Sequence, residues 1–278
     1  MDLSLKDKVV VVTGGASGIG EAIVRSFAAE GASVVIVARR AEQAVALVGE
    51  LTAHGQRVEC VAVELTDTPA CRAAIETVVS RHGRLDVLVN NAAANDAVNL
   101  AGSVDEFRAS LEKNLVQVFA MTHFAAPHLV KSKGAIVNIG SKVADTGQGG
   151  TSGYAASKGA LNALTREWAI NLIEPGVRVN TVVPAEVMTP LYQRWFENTA
   201  DPDASRRAVE QIIPLERRMT TGAEVADMVV FLASPRSSHT TGQIIYVDGG
   251  YVHLDRACTV DSLKAVLRPK TQPKKSNQ

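Results

Sequence analysis

Along the chain, short runs of β-branched apolar residues alternate with longer stretches in which apolar positions recur every three or four residues. The runs are "KVVVVT", "SVVIVA", "RVECVAV", "LDVLVN", "GAIVNIG" and "VRVNTVV", with "TGQIIYVDGG" supplying a last strand. A strand that is apolar at every position is buried on both faces, as the strands of a parallel sheet are. Between the runs, "GEAIVRSFAAEGA" ends on a glycine suited to a helix C-cap, and "DTPACRAAIETVVSRHG" opens on an Asp/Thr cap with proline in its first turn. Residues 151–170, "TSGYAASKGALNALTREWAI", read as a helix with the apolar stripe Leu161, Leu164, Trp168 and Leu172. This alternation predicts an α/β fold, a single doubly wound parallel β-sheet with helices on both faces. Such sheets take their ligands at the carboxyl ends of the strands.

Two segments break the rhythm. Residues 189–222, with Trp195, Phe196 and the polar stretch "ENTADPDASRR", form an insertion expected to act as a lid on a single domain spanning 1–258. The tail at 259–278, ending "RPKTQPKKSNQ", is basic and expected to be disordered. Lys and Arg together number 29, as do Asp and Glu, so no net charge favours nucleic acid or an anionic membrane as partner. A charged amino terminus leading straight into a strand, and no apolar stretch of membrane-spanning length, give the expectation of a soluble cytoplasmic protein. Cys60, Cys71 and Cys258 fall in no metal or redox spacing and read as packing residues, and no metal site is expected.

The first strand runs into "TGGASGIG" at residues 13–20, followed by a helical pattern. Gly14, Gly18 and Gly20 permit a tight turn and close backbone approach, and the helix behind them would aim its amides at a pyrophosphate. After the second strand, where a carboxylate would bind the ribose 2′-hydroxyl of NAD, the chain reads "VVIVARR": Ala38, then Arg39 and Arg40. Two guanidinium groups favour a 2′-phosphate, so NADP is the expected cofactor ahead of NAD. In the helix at 151–170, Tyr154 and Lys158 share a face. Alone, the pair reads equally as an amphipathic contact or as a phenol whose pKa a nearby cation lowers toward working pH.

With "TGGASGIG", "NNAA" at 90–93, Asn114 in "LEKNL", "IVNIGS" ending at Ser141, and "YAASK", the chain resembles the short-chain dehydrogenase/reductase family over nearly all of residues 5–252. The resemblance implies a Rossmann-type fold and an NAD(P)-dependent dehydrogenase. It implies Tyr154 as catalytic acid/base, Lys158 as its pKa-lowering partner and ribose ligand, Ser141 as the group orienting the substrate oxygen, and Asn114 as anchor of a proton-relay water. The cofactor would meet Gly14, Ser17, Gly18, Ile19, Arg39, Arg40, Glu64, Leu65, Asn91, Tyr154, Lys158, Val187 and Thr189. Three positions depart from the family pattern: Ala93 and Ala185 each stand where glycine is usual, and Glu64 replaces the commoner aspartate. The family also implies a homo-oligomer, dimer or tetramer.

Within the family, "SGYAASKGA", "REWA", "PAEVMTPLY" and "VDGGYVHLDRA" are most similar to the L-fucose dehydrogenases of the short-chain type. That similarity implies oxidation of an aldose at C1 to a lactone, with L-fucose or a relative as the small-molecule partner. Asn95, Lys142, Gln148 and Glu186 put polar groups at the strand ends, as a sugar site requires. Glu186 could accept hydrogen bonds from ring hydroxyls, or merely pair with a lid arginine such as Arg194. The other readings are an NADPH-dependent ketone or 3-oxoacyl reductase, and a non-catalytic dinucleotide-binding protein. The last fits poorly with Asn114, Ser141, Tyr154 and Lys158 all being present.

Overall fold

Val9, Val10, Val11 and Val12 of the first strand are all buried, and they divide by parity between two cores. In a computed structural model of the protein, which describes residues 1–39 and 42–254, seven parallel strands form one sheet in the order β3-β2-β1-β4-β5-β6-β7. They are β1 (Val9–Thr13), β2 (Ser33–Ala38), β3 (Arg57–Ala62), β4 (Val87–Asn90), β5 (Ala135–Ile139), β6 (Arg178–Pro184) and β7 (Ile244–Val247). Val10 and Val12 face a core shared with α1 (Gly18–Ala29), α2 (Glu42–Ala53) and α9 (Gly222–Ala233). Val9 and Val11 face the opposite core, built with α3 (Thr68–His82), α5 (Gln117–Ser132) and α6 (Ser152–Asn171). Successive strand side chains point to opposite faces, and helices cover both, so unbroken valine runs are what this sheet requires.

The helix ends follow the capping signals. Asp67 accepts from the Ala70 amide at 3.2 Å to start α3, and Gly83 closes it in the left-handed conformation at φ 73°. The helix α4 (Val104–Leu111) opens on a capping box between Ser103 and Glu106, then loosens into a π-helical turn at Glu112–Val116 before α5. The segment 189–222 contains α7 (Pro190–Glu197) and α8 (Pro202–Gln211). Arg40, Cys258 and the tail at 259–278 lie outside the described residues.

A buried polar ladder fixes α6 to the sheet. Asn90 of β4 donates to Asn138 of β5 at 2.9 Å, and Asn138 donates to Thr165 of α6 at 2.9 Å. The Thr165 hydroxyl also meets Thr181 of β6 at 2.6 Å and the Leu161 carbonyl at 2.9 Å. Leu161 and Trp168 of the same helix are buried beside it, so the apolar stripe and the ladder together set the rotation of α6. Because valine nearly matches threonine in shape, Thr165→Val should remove the bonds without opening a cavity. It should lower the unfolding free energy by about 1–3 kcal/mol in urea titrations, with Thr165→Ser recovering most of the loss.

Candidate active site

In the sheet order, β1 and β4 are neighbours whose onward connections diverge, and a crevice opens above their carboxyl ends. Gly14 follows β1 at φ 66° and Gly18 opens α1 at φ 59°, both in the left-handed region that glycine accepts freely. At Gly20 the constraint is steric: a Cβ there would run into the Gly14 carbonyl and the Asn91 amide. Asn91 holds the turn from behind, donating to the Thr13 carbonyl at 2.9 Å and the Gly14 carbonyl at 3.1 Å. Ser17, the N-cap of α1, makes no side-chain cap, so the first amides of the helix remain available to an anion. These residues fit the pyrophosphate of a dinucleotide.

The crevice widens into a cleft of about 930 Å³. Gly14, Ser17, Gly18, Ile19, Arg39, Glu64, Leu65 and Asn91 line its dinucleotide arm, where Thr189 approaches Gly18, and Asn95, Ser141, Lys142, Gln148, Tyr154, Lys158, Glu186 and Val187 line the rest of the cleft. Ala93 and Ala185 also lie on its wall. At the outer end, Arg39 is 66% exposed and pairs with Glu64 at 3.6 Å. Glu64 in turn accepts from the Thr66 hydroxyl at 3.1 Å, which keeps the carboxylate at the cleft edge.

Tyr154 sits on the first turns of α6, and the Ser141 hydroxyl beyond β5 hydrogen-bonds its phenol. Lys158, one turn further on, is buried and donates to the Ile139 carbonyl at 2.6 Å, its nitrogen 5.5 Å from the Tyr154 ring centre. The sequence leads to a phenol lowered by the lysine, and the structure corrects this. Burial dominates and raises the Tyr154 pKa, with the Ser141 bond opposing it. Burial likewise pulls Lys158 down to about 8. Both groups resist charge where packing strips them of water, and the ammonium spends its hydrogen bond on backbone.

Asn114 does not reach the cleft. It is buried on the π-helical turn, where its side chain accepts from the Ala94 amide at 2.7 Å and donates to the Ala94 and Ser110 carbonyls at 3.0 Å. The side chain expected to anchor a water is thus committed to holding the wall segment that carries Ala93, Ala94 and Asn95. Its neighbour Lys113, which the sequence gives no reason to single out, does line the cleft.

The substrate arm brings a further correction. Glu186 is bound by Lys142 and by the Tyr192 hydroxyl, one partner on each carboxylate oxygen, and not by Arg194. Lys142 also donates to the Tyr251 hydroxyl at 3.1 Å. Tyr192 and Tyr251 escape sequence reasoning. The only local hint is an aromatic residue shortly after each of the last two strands, in "TPLY" and "GGY".

A dinucleotide cradle continuous with a half-buried tyrosine and serine over a buried lysine defines a hydride-transferring oxidoreductase. A family model described as Enoyl-(Acyl carrier protein) reductase matches residues 14–252, and the chain belongs to the short-chain dehydrogenase/reductase family. It is 37% identical over 252 residues to the 3-oxoacyl-[acyl-carrier-protein] reductase FabG of Thermotoga maritima, covering 90% of this chain and 100% of that protein. It is 38% identical over 245 residues to the L-fucose dehydrogenase of Bos taurus, covering 87% and 88%. The structure of L-sorbose reductase from Gluconobacter frateurii, complexed with NADPH and L-sorbose, superposes with a TM-score of 0.87 at 29% identity, covering 91% of this chain and all (100%) of that one. The protein is an NAD(P)-dependent oxidoreductase acting on CH–OH groups. No helix among the described residues is long and apolar enough to cross a membrane.

Two measurements probe the site. The folded chain releases the Lys158 proton near pH 8, whereas the unfolded chain keeps it to about 10.5. Below that window the fold bears the whole cost of the buried charge, and within it only the unfolded state binds the proton, so stability relative to a Lys158→Met chain rises with pH. Melting curves between pH 7 and 10 should therefore shift in favour of wild type, and a flat difference contradicts the assignment. Since the Ser141 bond opposes the raised Tyr154 pKa, Ser141→Ala should move the alkaline rise of the oxidation rate to higher pH, read from pH profiles of kcat/KM.

Proposed function

We propose that the protein oxidises the anomeric CH–OH of an aldose to a lactone, with L-fucose or a stereochemical relative such as L-galactose or D-arabinose as substrate. The observation that carries this reading is the polar wall beside Tyr154: Asn95, Lys142, Gln148, Glu186 and Tyr192 all line the same arm of the cleft. A polyhydroxylated ring has a donor or acceptor for each, whereas an acyl chain would strand them unpaired in a closed site. Similarity to L-fucose dehydrogenases supports the same substrate class.

In this reading Tyr154, having released its own proton to solvent, accepts as phenolate the proton of the anomeric hydroxyl, and Ser141 steadies that substrate oxygen beside it. Lys158 lends positive charge from beneath, held against Ile139. A bound nicotinamide dinucleotide supplies the acceptor for the hydride from C1. In the reverse direction the raised pKa keeps Tyr154 protonated and ready to donate. The cofactor preferred is NADP, because Ala38 offers no acceptor to a ribose 2′-hydroxyl and Arg39 stands free enough to meet a phosphate by exchanging its long contact with Glu64.

Screening aldoses with NAD⁺ and NADP⁺ tests both halves. L-fucose or a relative should reduce NADP⁺. Reduction of hydrophobic ketones or 3-oxoacyl thioesters by NADPH, with every aldose inert, would replace this reading with that of a reductase, the activity named for the Thermotoga maritima relative. Arg39→Ala should lose about tenfold in NADPH affinity while leaving NADH nearly unchanged, as fluorescence titration reports; an equal loss for both removes Arg39 from phosphate recognition.

A further inference from the structure

Lys142 and Glu186 are a charged pair set into the wall of the substrate arm, 8% and 6% exposed respectively. Replacing such a pair with apolar residues is commonly neutral or stabilising, so its presence is poorly explained by stability alone. The surroundings fix the charges with unusual care. Tyr192 donates to the second carboxylate oxygen, and burial, reinforced by Glu186 itself, pushes its phenol far above the ordinary range, so it stays a neutral donor. On the other side the Tyr251 hydroxyl accepts from Lys142, and the ammonium lies 4.2 Å from the centre of that ring. A carboxylate has about four lone-pair sites and an ammonium three donors, so after these bonds the cluster still offers acceptors on Glu186 and one donor on Lys142. The offer is uncharged overall and matches a neutral diol.

Without Glu186 the same wall would present a desolvated cation with nothing to neutralise it. That is a strong site for a carboxylate or phosphate group. The other cations of the arm are engaged or screened. Lys158 donates to the Ile139 carbonyl at 2.6 Å and is drawn toward neutrality by burial, Lys113 pairs with Asp96 at 3.7 Å, and Arg194 lies exposed on α7, in contact with water.

We propose that Glu186 is a specificity-determining residue that masks Lys142, so that the cleft admits neutral polyols and turns away anionic ones such as sugar acids and sugar phosphates. This rests on the aldose reading above and deepens it. The experiment is an equilibrium titration of the enzyme–NADPH complex with L-galactose, with its C6 carboxylate counterpart L-galacturonate, and with malonate, a small dianion that needs no sugar recognition. Wild type should bind L-galactose and discriminate against both anions. Glu186→Gln keeps the shape and removes the charge, its oxygen still accepting from Lys142 while its amide donates to the Tyr192 hydroxyl, and it should bind L-galacturonate and malonate at least about tenfold more tightly than wild type does. The gain should vanish in Lys142→Met/Glu186→Gln. Unchanged anion affinity in Glu186→Gln, or a parallel loss for neutral and anionic ligands, would overturn the proposal in favour of a structural pair. Should Glu186→Gln not fold, Glu186→Asp retains the charge in altered geometry and should still exclude malonate; admission of malonate there refutes charge masking. Failure of the aldose reading shows separately, as a wild type that binds no aldose, and the malonate arm then still reports on Glu186.

Discussion

Lys158 is a cation without water whose hydrogen bond goes to a single main-chain carbonyl, and the rest of the site is arranged around keeping it there. That carbonyl belongs to Ile139, the last residue of β5, so the lysine joins the catalytic helix to the strand whose next turn carries Ser141. Tyr154 stands one helical turn before Lys158, and Ser141 two residues beyond Ile139, which brings both hydroxyls together above the ammonium. The helix cannot rotate to relieve the buried charge, because Thr165, two turns further along, is held by Asn138, Thr181 and its own helix. Placing the ladder at the carboxyl halves of β4, β5 and β6 puts rigidity where the chemistry needs it. The energetic disadvantage of the buried lysine is localised at one residue and offset by packing elsewhere on α6.

The architecture was legible because a parallel sheet covered on both faces writes itself as unbroken β-branched runs, and "VVVV" at Val9 to Val12 splits between two cores as that logic demands. The glycine turn was equally legible, since Gly14 and Gly18 adopt φ values that disfavour other residues and Gly20 leaves no room for a methyl. Tyr154 and Lys158 could be paired because helical spacing is a local property. Their electrostatics could not. Whether a lysine lowers a phenol or both are driven toward neutrality depends on burial, and burial comes from strands and helices far away in the chain.

The same limit explains Glu186. Its partners Lys142 and Tyr192 are separated from it by 44 and 6 residues, and Tyr251 lies 109 residues beyond Lys142. Sequence marked Glu186 and Lys142 as polar strand-end residues of one pocket, without disclosing that each answers the other. It also cast Asn114 as the anchor of a relay water, without disclosing that its side chain, on a π-helical turn, is bonded to the backbone of Ala94 and Ser110. Such a turn has no clear composition signature, so its consequence for a side chain is seen only in three dimensions.

Taken together, the two arms of the cleft solve different problems with different means. The dinucleotide arm relies on backbone: positive-φ glycines and uncapped helix amides suit phosphates that every nicotinamide dinucleotide shares, and Arg39 stands exposed at its outer end beside Glu64. The substrate arm relies on side chains brought from β5, β6, helix α7 and the turn after β7, which converge on one carboxylate. Of these supports, the segment of α7 and α8 buries least. Helix α8 fully buries none of its residues, and Phe196 and Tyr192 of α7 with Val209 of α8 join Ile213 and Met219 in a small cluster. Backbone bonds from Leu215 to Gly249 and from Thr220 to Glu186 hold its far end to the sheet, and the hydrogen bond from Tyr192 to Glu186 adds a side-chain tie inside the cleft. Glu186 thus serves both the cleft wall and the segment packed beside it, the first through its carboxylate and the second through its carbonyl as well.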